Sequence, residues 1–243
     1  MKMLLIELQK EKRTGIVPLM PAVGILGALY ALVNFRVRKE TLLDLPLPPM
    51  DILLTQLYGM IMILNLFGVI VTACMLYNIE FQGNAVKKMC LLPVKISAVY
   101  LCKFFLLTVM LLLAVCIQNL ALAGIGMTDL PPDAFHPQML TAFAGYSFLT
   151  SMPVLSFMIL ISSLFENLWV PLGIGVTGFL SGMALAVSDF ALFTLHPFVI
   201  MLKPAVSMRA QPDISLIILS LIETCIFLCA GLWRSKKIYY EML

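Results

Sequence analysis

Six long apolar stretches run through this chain and limit what it can fold into more than any other feature. They cover residues 16–35, 52–78, 104–127, 139–165, 168–188 and 214–233. A helix rises ~1.5 Å per residue, so about 20 apolar residues are needed to cross a hydrocarbon core of ~30 Å. Only 12% of the residues are charged, about half the share found in soluble domains. Each stretch is therefore predicted to span a membrane.

The spanning segments are predicted to be helices. In lipid only helices and closed barrels satisfy their backbone hydrogen bonds, and these stretches lack the alternating pattern of barrel strands. The first stretch is too long for the apolar region of a signal peptide and no A-x-A cleavage site follows it, so we expect it to be retained. The prediction is an all-α membrane protein, with residues 1–243 forming one transmembrane domain of six helices.

The distribution of basic residues predicts the orientation. Six crossings place both termini, the 79–103 loop and the Glu166 turn on one side, which then carries eleven Lys and Arg residues. The other side carries five, together with seven acidic residues. Because cytoplasmic loops are enriched in Lys and Arg, both termini and the 79–103 loop are predicted to be cytoplasmic. The basic cluster around Arg36 weakly opposes this orientation.

Two further segments carry apolar residues without being long enough to span. Residues 1–15 place Leu4, Leu5 and Leu8 on one helical face, which is typical either of an interfacial amphipathic helix or of a charged juxtamembrane tail. Residues 190–212 are apolar but interrupted by prolines. They are predicted to form a re-entrant extracellular hairpin, with a folded loop resting on the bundle as the alternative.

Motifs for catalysis and for nucleotide binding are absent from the sequence. There is no G-x-x-x-x-G-K-[ST] loop, no H-E-x-x-H pair and no G-x-S-x-G turn. We therefore expect a non-enzymatic chain that binds no metal or cofactor of its own.

Glu223 is an acidic residue near the middle of the sixth apolar stretch. A charged acid at the membrane centre costs ~2.5–3.5 kcal/mol on translocon scales unless it is paired, hydrated or protonated. It is expected either to face a polar cavity or interface, or to remain protonated in the bundle core. The polar residues Asn65, Gln118 and Asn119 in other stretches are its candidate partners.

Small residues recur four apart in the first and fifth stretches. Such spacing allows two helix backbones to approach closely in lipid. These faces are predicted to contact a partner subunit or each other. The residues are Gly24, Ala28, Gly178, Gly182 and Ala186.

The loop at 79–103 is about 25 residues long, whereas the Glu166 turn needs only a few. Its centre alternates apolar and basic residues between Gly83 and Pro93, which predicts a short amphipathic helix parallel to the membrane. Such a helix either docks into a soluble partner or lies on anionic lipid headgroups.

This layout resembles the permeases of ABC-2 type transporters, and within them the lantibiotic and bacteriocin immunity group. The resemblance rests on a glutamate after the second span, a glycine, a Leu-Pro pair and a lysine opening the third span. It implies a coupling helix on a cytoplasmic ABC ATPase dimer, which would use ATP and Mg²⁺. The residues implied in coupling are Glu80, Gly83, Lys87, Lys88, Leu91, Pro93 and Lys103.

The same resemblance implies a second, different permease subunit that contacts the first and fifth helices. It also implies a bacterial plasma membrane and export of an amphipathic antimicrobial peptide. Two other functions remain open from the residues alone. One is a secondary transporter with Glu223 as its ion or proton site, which would predict inverted repeats. The other is a membrane scaffold that transports nothing.

Overall fold

A computed structural model describes residues 2–44, 46–82, 96–131, 134–188, 190–206 and 211–241, with the side chains at 2, 43 and 237–241 left out. All regular secondary structure in these ranges is helical. The α-helices are α1 (Lys2–Arg13), α2 (Leu19–Leu43), α3 (Pro49–Asp51), α4 (Tyr58–Phe81), α5 (Ile96–Asp129), α6 (Pro137–Leu164), α7 (Trp169–Ala186), α8 (Pro197–Val206) and α9 (Ile214–Glu241).

Six of these helical segments are long and apolar enough to cross a membrane, which confirms the predicted all-helical class and the number of spans. They are Leu19–Leu42, Pro49–Phe81, Ile96–Asp129, Pro137–Leu164, Trp169–Ala186 and Ile214–Lys236. The second and third spans are longer than the sequence predicted. Glu80 and Lys103, which were predicted to lie in the loop, are therefore helical residues, and only residues 82–95 connect the two helices.

Three of the described spans depart from a regular helix, the first of them at Arg38 of α2, where φ is −111° and ψ is 18°. The second span begins with α3 and a π-helical turn, Ile52–Gln56, before α4 starts. In α6, Pro153 lacks a backbone N–H and so cannot make the usual bond to the preceding turn. Hydroxyls around it bond to nearby carbonyls: Ser151 donates to Ser147 O at 2.7 Å, and Ser156 donates to Pro153 O at 2.9 Å. Neither bond reaches Leu149 O, the carbonyl that Pro153 leaves without its backbone donor.

The segment before the last span folds onto the bundle. It forms a 3₁₀ turn, Ala191–Leu195, followed by α8, in which residues 198–202 are all buried. Helix α8 packs against α4, α6 and α7. Residues 197–206 thus form a short helix that packs between three spans. The predicted re-entry of residues 190–212 into a lipid leaflet stays a prediction.

Close helix contacts explain the small residues of the first and fifth spans. A Cβ atom on Gly24 would lie 2.8 Å from Ala114 Cα, so α2 and α5 touch through their backbones. A Cβ on Gly182 would lie 2.7 Å from Phe198 Cβ, and Gly178 faces the same ring. Contacts within the chain thus account for these three glycines. A second permease at these helices stays a prediction.

Replacement of Gly24 by Ala is expected to lower the thermal unfolding midpoint in detergent. The added methyl meets the backbone of α5, which cannot rotate away, and overpacking of this kind costs roughly 1–3 kcal/mol. Gly124→Ala is the matched control, because it lies in α5 with open space around its Cβ position. Equal midpoints for both variants would contradict the close α2–α5 contact.

Candidate functional site

Helix α1 turns its charged face towards the bundle. Glu7 is 3% exposed and Glu11 is fully buried, whereas Leu5 and Ile6 on the other side are 55% and 57% exposed. This is the reverse of a helix on the surface of a soluble domain. Helix α1 packs along α5, and its buried carboxylates meet charged residues of the spanning helices there. An apolar outer face agrees with the interfacial position predicted for residues 1–15, which stays a prediction.

Lys103 lies at the centre of the resulting charged cluster. Its ammonium is 2.9 Å from Glu80 Oε1 and 3.1 Å from Glu7 Oε2, and it donates to Leu76 O at 3.0 Å. The same ammonium lies 5.7 Å from the centre of the Tyr77 ring, which adds a cation–π contact. One side chain of α5 is therefore bonded to both α1 and α4.

Lys10 completes the cluster from α1. Its ammonium lies 2.5 Å from Glu80 Oε1 and 3.1 Å from Glu7 Oε1, so each glutamate is shared by two lysines. We call these four residues, Glu7, Lys10, Glu80 and Lys103, the charged cluster. Two positive and two negative charges balance. Removing an ion from water costs several kcal/mol, and close attraction within the cluster offsets that cost only while every member is present.

Glu11 is a fifth ionisable residue beside the charged cluster, but it is not part of it. It is fully buried, and neither of its carboxyl oxygens has a hydrogen-bond partner among the described residues. Burial raises the pKa of Glu11 from 4.5 to about 7; attraction to Lys103 opposes the rise, and repulsion from Glu7 adds to it. Glu11 therefore changes protonation near neutral pH.

The charged cluster sits at the base of the connection between the second and third spans. Glu80 is one residue from the end of α4, and Lys103 lies in the second turn of α5. Glu80 was predicted to contact the ATPase and Lys103 to take part in coupling; their side chains are 2% and 1% exposed and bond within the chain. The other predicted coupling residues fall outside the described residues. They are Gly83, Lys87, Lys88, Leu91 and Pro93.

From the sequence, residues 1–15 were described only by their apolar face, and Glu7 and Lys10 were given no partner. A signal for them does exist in the sequence. Two opposite charges, Glu80 and Lys103, sit at the adjoining ends of consecutive spans, where an unpaired charge is costly. A short helix with several charges precedes the first span, and it is the nearest source of further partners.

Glu223 has none of the partners considered for it. Asn65 and Gln118 bond reciprocally through their amides, at 2.9 and 2.8 Å. Asn119 donates to the backbone of its own helix. Glu223 is 7% exposed, and its Oε2 atom is buried without a hydrogen-bond partner in the described part of the chain. This arrangement requires either a proton on the carboxyl group or a donor from outside the described residues.

Replacement of Lys103 by Met is expected to destabilise the protein strongly. The substitution leaves Glu7 and Glu80 buried next to each other with only Lys10 between them, and breaking a buried ion pair on one side costs about 3–5 kcal/mol. Thermal unfolding in detergent measures the loss. The matched control is Lys39→Met, which breaks an exposed ion pair to Asp129 and should change stability by less than about 1 kcal/mol. Similar midpoints for both variants would contradict the burial of the cluster.

Glu11 is expected to make stability fall as pH rises. Its pKa is higher in the folded chain, about 7, than its ordinary value of 4.5, so folding favours the protonated form. The free energy of unfolding therefore decreases between about pH 4.5 and 7 and stays reduced above that range. Glu11→Gln removes this loss, so the variant should gain thermal stability relative to wild type at pH 8 but not at pH 4.5. Glu166→Gln, at an exposed turn, is the control. Parallel profiles for wild type and Glu11→Gln would contradict the burial of Glu11.

Comparison with known protein families shows which family the chain belongs to. A family model described as ABC-2 family transporter protein matches residues 3–182, about three quarters of the chain. Comparisons with curated proteins and with solved structures gave no match. The matched region includes α1, the charged cluster and the connection between the second and third spans. This chain belongs to the ABC-2 family of transporter proteins.

Proposed function

We propose that this chain is a permease subunit of an ATP-driven exporter that removes a lantibiotic or related antimicrobial peptide from the membrane. Membership of the ABC-2 family makes it a membrane component of an ABC transporter and implies an ABC ATPase as partner. The cargo, the direction of transport and the identity of the other subunits are the proposed part.

The observation that carries the proposal is the position of the charged cluster. Residues 82–95 connect α4 to α5, and the cluster bonds these two helices to each other at the base of that connection. Helix α1 is bonded to both. A displacement of the connecting segment therefore moves the ends of α4 and α5 together, because separating them would leave buried charges unpaired.

This arrangement suits the transmission of force from a soluble motor. An ATPase that binds Lys87, Lys88 and Leu91 would act on two helix ends that are joined by ion pairs, rather than on two independent helices. Helix α5 in turn touches α2 at Gly24, so movement at the connecting segment reaches the first span. In this proposal Glu80 and Lys103 transmit force and do not themselves contact the ATPase.

The cytoplasmic position of this end is supported by charge and by packing. The chain's basic residues are concentrated there, eleven against five at the other end. Gly231 near the end of α9 packs against the Tyr100 ring near the start of α5, so the last span ends beside the charged cluster. The N-terminus, the connecting segment and the end of the last span thus share one side, which the positive-inside rule assigns to the cytoplasm.

A cationic, amphipathic peptide is the proposed substrate, and a second permease chain the proposed companion. Seven acidic and five basic residues lie towards the opposite end, and this excess of acid attracts cations weakly. Export and the pairing of two different permeases follow from the resemblance to the immunity group.

The proposal is tested with the chain produced together with a candidate ABC ATPase and a candidate second permease from the same genome. The variant carries Lys87→Glu, Lys88→Glu and Leu91→Asp, which replace the basic and apolar groups predicted to dock. We expect ATPase retained on the tagged chain in mild detergent to fall at least tenfold. Cells should also lose resistance to a cationic lantibiotic, measured as the minimal inhibitory concentration.

The control is Lys12→Glu with Arg13→Glu, which reverses two exposed charges at the same end but outside the connecting segment. Both proteins should unfold at the wild-type temperature. Unchanged ATPase retention in the triple variant would overturn the coupling role of the segment. If the wild-type chain retains an active ATPase but does not change the cells' resistance to the peptide, the proposed substrate is wrong and the coupling role still stands.

A further inference from the structure

A cavity of about 840 Å³ opens where α6, α7, α8 and α9 meet, at the end of the bundle remote from the charged cluster. It lies between the spans at the level where the last of them begins. Its described lining residues combine charged, polar and apolar groups. They are Tyr146, Ala186, Val187, Lys203, Val206, Gln211, Pro212, Asp213, Ile214 and Leu216.

Two opposite charges line this cavity without pairing with each other. Among the described residues neither Lys203 nor Asp213 has a salt-bridge partner within 4 Å. They are nevertheless near enough to interact. Hydrogen bonds from Ser215 are the main cause that lowers the pKa of Asp213, and attraction to Lys203 adds to them. The cavity therefore presents one basic and one acidic side chain, separated by more than the length of an ion pair.

The carboxylate of Asp213 is exposed but held in place by hydrogen bonds, and Lys203 is carried by a helix that the bundle encloses. Asp213 caps the first turn of α9, where its Oδ1 atom accepts bonds from the Ser215 backbone at 2.9 Å and from the Ser215 hydroxyl at 2.6 Å. The Asp213 backbone also interacts with the hydroxyl of Tyr146, a residue of α6 that is only 4% exposed. Lys203 is half-buried in α8, whose neighbouring residues 198–202 are enclosed by the bundle. A ligand would therefore meet a carboxylate held in place at the start of α9 and a lysine side chain on α8 that is free to adjust to it.

The outer wall of the cavity is apolar and faces outward. Val187 and Ile214 are 76% and 72% exposed, and they flank the cavity at the ends of α7 and α9. In a membrane helix an exposed apolar side chain lies against lipid tails. A molecule in this cavity can therefore keep its polar part between Lys203 and Asp213 while its apolar part remains in the bilayer.

We propose that this cavity binds the zwitterionic headgroup of a phospholipid from the adjoining leaflet, with the phosphate at Lys203, the ammonium at Asp213 and the acyl chains along Val187 and Ile214. An anionic headgroup satisfies Lys203 but is repelled by Asp213. A simple cation satisfies Asp213 but is repelled by Lys203. A ligand with both charges, joined by a short spacer, satisfies the two side chains at once.

The test uses the full chain purified in a neutral detergent, titrated with short-chain phosphatidylethanolamine or with phosphatidylglycerol of the same acyl chains. Native mass spectrometry measures the bound lipid. Phosphatidylethanolamine is expected to bind about tenfold more tightly. Lys203→Gln should weaken binding of both lipids about tenfold, because both carry the phosphate. Asp213→Asn should weaken phosphatidylethanolamine by a similar factor and leave phosphatidylglycerol unchanged or tighter, since Asn also caps helices.

Lys39→Gln is the matched control, a lysine at the same end of the bundle that lies outside the cavity, and it should bind both lipids like the wild type. Binding of free phosphoethanolamine tests whether the ligand is a membrane lipid or a soluble compound with the same headgroup. Weak binding of this soluble compound supports a membrane lipid as the ligand, and binding as tight as the lipid's would overturn that assignment. The proposal also fails if phosphatidylglycerol binds as tightly as phosphatidylethanolamine, if Asp213→Asn affects the two lipids equally, or if a cationic peptide binds in place of both.

Discussion

The pairing of Lys103 with two buried glutamates is the interaction on which the arrangement of the bundle's charged end depends. A lysine that is 1% exposed stays charged in an apolar environment only if its partners are held in place. Those partners come from α1 and α4, so the electrostatic requirement of one side chain determines where a separate helix must lie. Helix α1 has few apolar residues on its inner face, and the ion pairs take the place of a hydrophobic contact there.

Close backbone packing provides the complementary constraint within the membrane. Lipid tails are as apolar as leucine, so helices associate there through contact and hydrogen bonds rather than through the hydrophobic effect. Gly24 lets α2 lie against Ala114 of α5, and the Asn65–Gln118 amide pair joins α4 to the same helix. Helix α5 therefore contacts α2 and α4 within the membrane, and at its charged end it bonds to α1 and α4. The first two spans also pack directly against each other.

The number and class of the spans could be predicted from the sequence because both follow from length and apolarity, which need no knowledge of neighbours. The partners of particular residues could not. Glu80 and Lys103 were recognised as notable residues but placed in a loop, because a helix that ends with charged residues looks the same in sequence as a loop that begins with them. Their burial depends on α1 folding back over them. Likewise the small-residue spacing at Gly178 and Gly182 predicted a close contact with a partner subunit or with the first helix, and spacing alone does not show that Phe198 of α8 also packs on that face.

The two buried carboxyl groups without partners, Glu11 and Glu223, differ in what surrounds them. Glu223 lies in a span next to hydroxyls such as Ser220 and Thr224, and both of these donate their protons to their own helix backbone. Glu11 instead adjoins a balanced set of charges, and its ionisation leaves that set with one excess negative charge. The charges that act on Glu11 belong to the cluster itself, so its protonation affects the ion pairs by which α1 is bonded to α4 and α5.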